Sequence, residues 1–295
     1  IMKNGEFQLS STDISISAGG IPVGITRSYG SRREYNGPFG YGWNLNYNLK
    51  VRRMNDPGVV ILLNGQGCLR QYNREGGSNI FRRIKDLGDY LEYDSTRDAY
   101  TLVETGGLEY WFNQEDNLEA IVDEHGNRIT FQYDPTGLMP IEGPSEFFIA
   151  EEFGGPSGGR GLIAMSYRLT GIRIDDDPNR QITLIYNSNG LLEYIEDFAG
   201  RSWTYSYDPV TNDLLNISGP EGTGASYLYD NGHNLEYVYD ANDQLVARNY
   251  YDAADKVYQQ TVADGTYDLN HNPANNTTTI TDREGFETEM IYGTS

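Results

Sequence analysis

The sequence predicts an all-β chain of repeated antiparallel hairpins. Three observations carry this: a Tyr-Asp dipeptide that returns at a fixed interval, a two-residue alternation inside each interval, and the lack of helical periodicity. Tyr207-Asp208, Tyr229-Asp230 and Tyr251-Asp252 follow Tyr186-Asn187 at steps of 21, 22 and 22 residues. Upstream, Phe112-Asn113 precedes Tyr133-Asp134 by 21, and Tyr292-Gly293 lies 41 beyond Tyr251, close to two steps. A fixed period of this size marks one supersecondary unit repeated, each copy burying its faces on its neighbours.

One repeat shows the plan. Trp203, Tyr205 and Tyr207 alternate with Thr204 and Ser206, the period-two pattern of a strand with one aromatic and one small polar face. Leu191 to Ile195 forms a second strand-like run. Asp197-Phe198-Ala199-Gly200 between them is a turn in which glycine accepts a positive φ. Tyr is then the last packed aromatic, and Asp opens the next turn by accepting nearby backbone N–H groups. Asp123-Glu124-His125-Gly126 and Asp282-Arg283-Glu284-Gly285 occupy equivalent turns. Tyr227/Tyr229 and Tyr237/Tyr239 are further i, i+2 pairs, and stacked hairpins are expected to set these rings opposite one another. The expected architecture is 15–20 short strands of about 5–6 residues, with helix below about a tenth of the chain.

The bulk numbers narrow the function. The chain has 295 residues and a net charge of −21, which excludes nucleic-acid binding through a basic footprint and disfavours an anionic membrane surface. No apolar run approaches a membrane span. No N-terminal basic start leads into an apolar core, so no signal peptide is expected. Both ends read as cut from a longer protein. Cys68, the single cysteine, rules out an intrachain disulfide and is expected to be a small packed residue.

Three regions follow. Residues 1–80 lack the repeat and form an N-terminal module. Residues 81–295 carry it, with a Gly-rich insertion at about 140–169 where the Tyr133-to-Tyr186 gap exceeds two repeats. Within the insertion, 146–150 is expected to tuck against the sheet and 154–161 to loop out, with Arg160 the first tryptic site. The strand at Glu287 to Ile291 is expected to be an edge that frays or pairs with another copy.

The module carries a specific motif. It reads Ile21-Pro22-Val23-Gly24-Ile25-Thr26-Arg27-Ser28-Tyr29-Gly30-Ser31, then Gly37-Pro38-Phe39-Gly40-Tyr41-Gly42-Trp43. Arg27 and Tyr29 share a strand face, where the guanidinium is expected to stack on the ring. Gly40 and Gly42 allow close backbone approach beside Phe39 and Trp43, and Trp43 reads as a core anchor. Together with the Tyr-Asp repeats, this motif resembles the N-terminal module of Rhs/YD-repeat proteins. The resemblance covers nearly the whole chain. It implies a spiral, curled sheet forming part of a hollow β-shell, related to the Tc toxin cocoon and to teneurin shells. In bacterial members the shell encloses a C-terminal toxin. The partners it implies are the remaining shell and a C-terminal effector of the same longer protein.

Chemistry has little positive support. Asp134-Pro135-Thr136-Gly137-Leu138 resembles part of the aspartyl autoprotease segment of such shells, but it lacks the continuation and lies mid-chain, so it reads as a turn. The metal candidates are Asp268, Asn270 and Asn272, spaced like the start of a calcium loop, with Pro273 and Thr279 where Gly and Glu are required. His125, His233 and His271 are scattered among turns. No cofactor is expected. The expectation is a non-catalytic wall segment of a secreted or cell-surface protein, bacterial in origin by its cysteine use. The alternative is an adhesion or carbohydrate-binding module that uses Tyr rings with Trp43, Trp111 and Trp203 as platforms for a cell-surface glycan.

Overall fold

The computed structural model describes residues 5–17, 20–33, 36–84, 86–141 and 164–291. These are all-β, with one single-turn 3-10 segment at Pro220–Gly222. The expected insertion loop at 143–161 with Arg160 lies outside the described residues, as does Tyr292-Gly293.

A small inner sheet comes first. It pairs β1 (Gln8–Ile16), β2 (Val23–Gly30) and β5 (Trp43–Leu45) in the order β1-β2-β5, with β3 (Asn36–Gly37) and β4 (Gly40–Tyr41) as a short hairpin beside it. The other 21 strands form one antiparallel sheet. Its first part is β6 (Lys50–Arg53), β7 (Val59–Leu63), β8 (Leu69–Arg74), β9 (Ile80–Arg83), β10 (Asp86–Asp94), β11 (Ala99–Val103), β12 (Glu109–Phe112) and β13 (Leu118–Val122). A long hairpin follows, β14 (Arg128–Ile141) with β15 (Ala164–Ile174). The repeats then run through β16 (Gln181–Tyr186), β17 (Leu192–Glu196), β18 (Ser202–Tyr207), β19 (Leu214–Ser218), β20 (Gly224–Tyr229), β21 (Leu235–Asp240) and β22 (Leu245–Tyr251). The last four are β23 (Val257–Val262), β24 (Gly265–Asn272), β25 (Thr277–Thr281) and β26 (Glu287–Ile291). The 26 strands among the described residues exceed the expected 15–20, because the stretch before the repeats adds nine, β1–β5 of the inner sheet and its hairpin and β6–β9 of the large sheet. Position 80 therefore marks a change of sequence pattern within one sheet.

Each strand pairs with the next in sequence, and the sheet curls until its start meets its own middle. Lys50 bridges to Asn117, and the Val51 amide donates to the Asp116 carbonyl at 3.1 Å. The curl has a local cause. The register shifts at Trp111/Phe112, Ile185/Tyr186, Ser206/Tyr207, Leu228/Tyr229 and Tyr250/Tyr251, so the ladder is bulged at the aromatic end of repeat after repeat. A bulge bends its strand and raises the local twist, and a periodic bulge bends a whole sheet.

The repeat dipeptide has two jobs. Tyr133, Tyr186, Tyr207 and Tyr251 donate their hydroxyls to the carbonyls of Leu118, Leu169, Leu192 and Leu235, at 2.8, 2.8, 2.5 and 3.0 Å. Each bond ties one repeat to the one before it. The partner residues Asp208, Asp230 and Asp252 each accept two backbone N–H groups through Oδ1, closing Asx turns. Backbone N–H groups also hold the Asp208 carboxyl below the usual range. Replacing Tyr207 with phenylalanine is expected to cost about 1–2 kcal/mol, since the Leu192 carbonyl loses this donor, whereas Tyr251→Phe should cost less, because the Leu235 carbonyl keeps the Asn249 side-chain amide at 2.8 Å. Urea unfolding of the single variants measures this.

Two expectations need correction here. Asp134 does not open a turn: β14 runs on past it, with Asp134 opposite Arg168 and a bulge before Leu138. β15 pairs with Asp134 and again from Leu138, so Asp134-Pro135-Thr136-Gly137-Leu138 is bulged strand, and residues 140–141 and 164–169 of the expected insertion are strand too. The second is Cys68, which is exposed rather than packed.

Candidate functional site

The inner sheet sits within the curl. Its apolar face, with Ile14, Val23, Ile25, Tyr29 and Trp43 buried, packs on the repeat strands in one continuous core. Its other face, with Ser10, Thr26 and Ser28, looks across a cleft at Leu62, Arg70, Leu102 and Tyr110. Wall strands therefore lie on both sides of it.

The module's motif and the Tyr-Asp repeats meet in one cluster. Arg27, 2% exposed, forms a bidentate pair with Asp13, Nε to Oδ2 at 2.7 Å and Nη2 to Oδ1 at 2.9 Å. Its Nη1 donates to the Tyr227 hydroxyl at 2.9 Å, and Tyr205 donates to Asp13 Oδ2 at 2.9 Å. Burial alone would lower the Arg27 pKa, but Tyr227 and Asp13 outweigh it and the net direction is up. The guanidinium lies over Trp43 at 5.1 Å and Tyr227 at 5.9 Å. It does not stack on Tyr29 as expected, because the Tyr29 ring is taken by Trp43 at 5.3 Å and Tyr229 at 6.2 Å.

Trp43 donates its indole N–H to the Tyr229 hydroxyl at 2.8 Å. The Tyr29 hydroxyl donates to the His233 carbonyl at 2.8 Å and accepts the Leu235 amide at 3.0 Å. Phe39 packs on Tyr205 with ring centroids 5.0 Å apart. Burial pushes the phenols of Tyr29, Tyr205, Tyr207 and Tyr229 well up, so all stay neutral. Gly40 has φ +88°, and a Cβ there would lie 2.2 Å from the Asn212 carbonyl oxygen. Gly42 has φ +74°, and a Cβ would lie 2.6 Å from the Tyr29 ring. Both glycines let the chain approach closer than any side chain allows.

Tyr205, Tyr227 and Tyr229 thus meet the module's rings, whereas Tyr93 with Tyr100 and Tyr250 with Tyr258 pair across neighbouring strands at 5.0 and 6.2 Å. The sequence shows a further signal for this arrangement: an apolar residue stands opposite each bulged aromatic, as in Tyr186 with Leu192, Tyr207 with Leu214, Tyr229 with Leu235 and Tyr251 with Val257.

The remaining candidates stay apart. Asp268, Asn270 and Asn272 lie on β24, paired with Thr281, Thr279 and Thr277. An extended strand spreads their oxygens along its length and cannot wrap them round one ion. Among the described residues no group of three His, Cys, Asp or Glu side chains could hold a metal. His271 also lies on β24 and not in a turn; its Nε2 is 2.7 Å from the Val257 carbonyl and its Nδ1 3.0 Å from Thr278 Oγ1. His233 Nδ1 lies 2.9 Å from Asp213 Oδ1, with the ring stacked on Tyr41 at 4.0 Å. His125 is exposed in its turn.

Lys50 marks the seam where the curl closes. Burial pushes its amine from 10.5 down to about 7. Below about 7 the amine is charged in both folded and unfolded chains, and the burial cost applies in full. Between about 7 and 10.5 the unfolded chain binds the extra proton, so stability rises with pH. Lys50→Met is expected to stabilise by about 1–3 kcal/mol near neutral pH, the half-buried side chain keeping some hydration. Urea titrations across the alkaline range should show that gain shrinking as pH rises.

Residues 1–72 match the family model described as "Domain of unknown function (DUF6531)". The match spans the inner sheet and the opening strands of the wall. It falls on the module whose motif resembles Rhs-type proteins. No curated protein matches the chain. Among solved structures, the chain is similar to a crystal structure of TcdB2-TccC3-Cdc42 at 12% identity and a TM-score of 0.37, covering 97% of this chain and 15% of that one. It is also similar to a porin-like protein from Bacteroides uniformis ATCC 8492, at 10% identity and a TM-score of 0.31, covering 97% and 93%. TM-scores this low establish no common fold. Among the described residues no helix is long and apolar enough to cross a membrane, which says nothing of strands.

Proposed function

We propose that the chain is a wall segment of a secreted or surface Rhs/YD-repeat shell, without catalysis of its own, in which the N-terminal module is an internal strut. The observation that carries this reading is the cluster joining Arg27, Tyr29 and Trp43 to Tyr205, Tyr227 and Tyr229. Residues that define the N-terminal motif are spent on holding the repeats in their curl. The exposed apolar side chains Phe286 and Ile291 at the edge strand β26 support continuation of the sheet by further hairpins of the same protein. The enclosed partner would be a C-terminal effector. In the full-length protein, limited proteolysis should leave that effector region intact while the shell is folded and degrade it once the shell is opened by Arg27→Met. Equal degradation in both states would sink the enclosure reading.

One observation favours a second reading. Tyr237 and Tyr239 stack at 6.1 Å and 8°, and Arg248 lies over Tyr237 at 4.7 Å and Tyr250 at 4.4 Å. These half-exposed rings form a platform suited to the flat faces of a cell-surface glycan. A glycan array separates the readings: sugar binding abolished by Tyr237→Ala supports adhesion, and no binding supports a wall alone.

A further inference from the structure

The cleft on the polar side of the inner sheet has a volume of about 550 Å³. That lies within the roughly 300–1,000 Å³ of small-molecule sites. Leu62 and Leu102 supply an apolar floor. One wall carries the Ser10 and Ser28 hydroxyls, 3.4 Å apart, and the other carries Arg70, Glu104 and Tyr110. Arg70 and Glu104 sense each other's charge, yet among the described residues they form no ion pair. Beside Arg70 on β8, the pKa of the Tyr72 phenol is raised chiefly by burial, with Arg70 acting to lower it. Glu104 accepts only a long bond from Tyr110, at 3.4 Å, and burial followed by Asp89 raises its pKa. An anion-seeking guanidinium and a cation-seeking carboxylate thus share one cleft without satisfying each other.

We propose that this cleft binds a small zwitterion, an α-amino acid or short peptide with free termini, its carboxylate on Arg70 and its ammonium on Glu104. A guanidinium pairs with a carboxylate through two parallel hydrogen bonds, stronger than neutral ones. The ammonium would bring Glu104 the cation it lacks, with Tyr110 and Ser28 offering hydroxyls between the two ends. The site is independent of whether the wall encloses an effector. A neutral or singly charged ligand would leave one of the two groups unpaired in a partly desolvated cleft, which costs free energy. Specificity for a zwitterion follows.

The test is calorimetric titration of the intact chain with trialanine and with its N-acetylated, C-amidated form. Free trialanine should bind, and capping should weaken binding by at least about tenfold. Arg70→Met should weaken the free peptide and leave the capped one unchanged, and Glu104→Gln should do likewise. Equal binding of free and capped trialanine overturns the proposal in favour of a groove for chain segments. Absence of binding by either at millimolar concentration overturns it as well. The comparison of the two peptides needs no variant, so a poorly folding substitution does not blur the result.

Discussion

Arg27→Met should destabilise the chain by about 3–5 kcal/mol, the usual cost of breaking a buried pair by removing one partner. The loss comes less from the bonds made than from Asp13, which is left charged in the interior. Asp13 has a 6% exposed side chain and would keep only Tyr205 as a donor. Rearrangement cannot bring water to it without opening the packing of Trp43 on Tyr227. Asp13→Leu combined with Arg27→Met should recover much of the loss, because the unpaired charge is then gone. Urea unfolding of both singles and the double closes the cycle. A loss below about 1 kcal/mol in Arg27→Met would place the pair in the class of solvated surface bridges and remove it from the core.

Trp43→Ala is expected to cost about 3–5 kcal/mol. Trp43 is fully buried, touches Tyr29 and Tyr227, and lies under Arg27. The cavity left behind faces rings fixed in wall strands that cannot collapse inward without straining their ladder. Trp43→Phe keeps an aromatic and should cost about 1–3 kcal/mol, part of it from the lost donor to Tyr229. Thermal melts separate the two. Equal losses in both variants would mean that the hydrogen bond and not the ring volume dominates.

Much of this architecture can be read from the chain. The alternation of Trp203, Tyr205 and Tyr207 gives a strand whose burial alternates as expected. Asp208, Asp230 and Asp252 close turns by local bonds, and local bonds are legible locally. Trp43 is the core anchor its motif suggests. What the sequence hides is non-local. A bulge at Tyr207 depends on how Leu214 is set opposite it, and the period alone does not say whether a ring meets the next repeat or an inner sheet. Asp134 shows the same limit. It has the dipeptide of its neighbours, but pairing with Arg168 on β15 overrides the turn. Cys68 and His271 depart from expectation for a similar reason, since single residues carry no pattern by which burial or strand position could be read.

The central claim is that the inner sheet and the wall are one cooperative unit. Three wall amides donate to the module: Leu192 to the Pro38 carbonyl at 2.7 Å, Val257 to the Gly5 carbonyl at 2.9 Å and Leu235 to the Tyr29 hydroxyl at 3.0 Å. Native-state hydrogen exchange at these three positions tests the claim most directly. All three should exchange only with global unfolding, and Arg27→Met should reduce their protection together with that of the wall amides. Fast exchange at these amides while the rest of the wall stays protected would show a module that detaches on its own, and would contradict the strut.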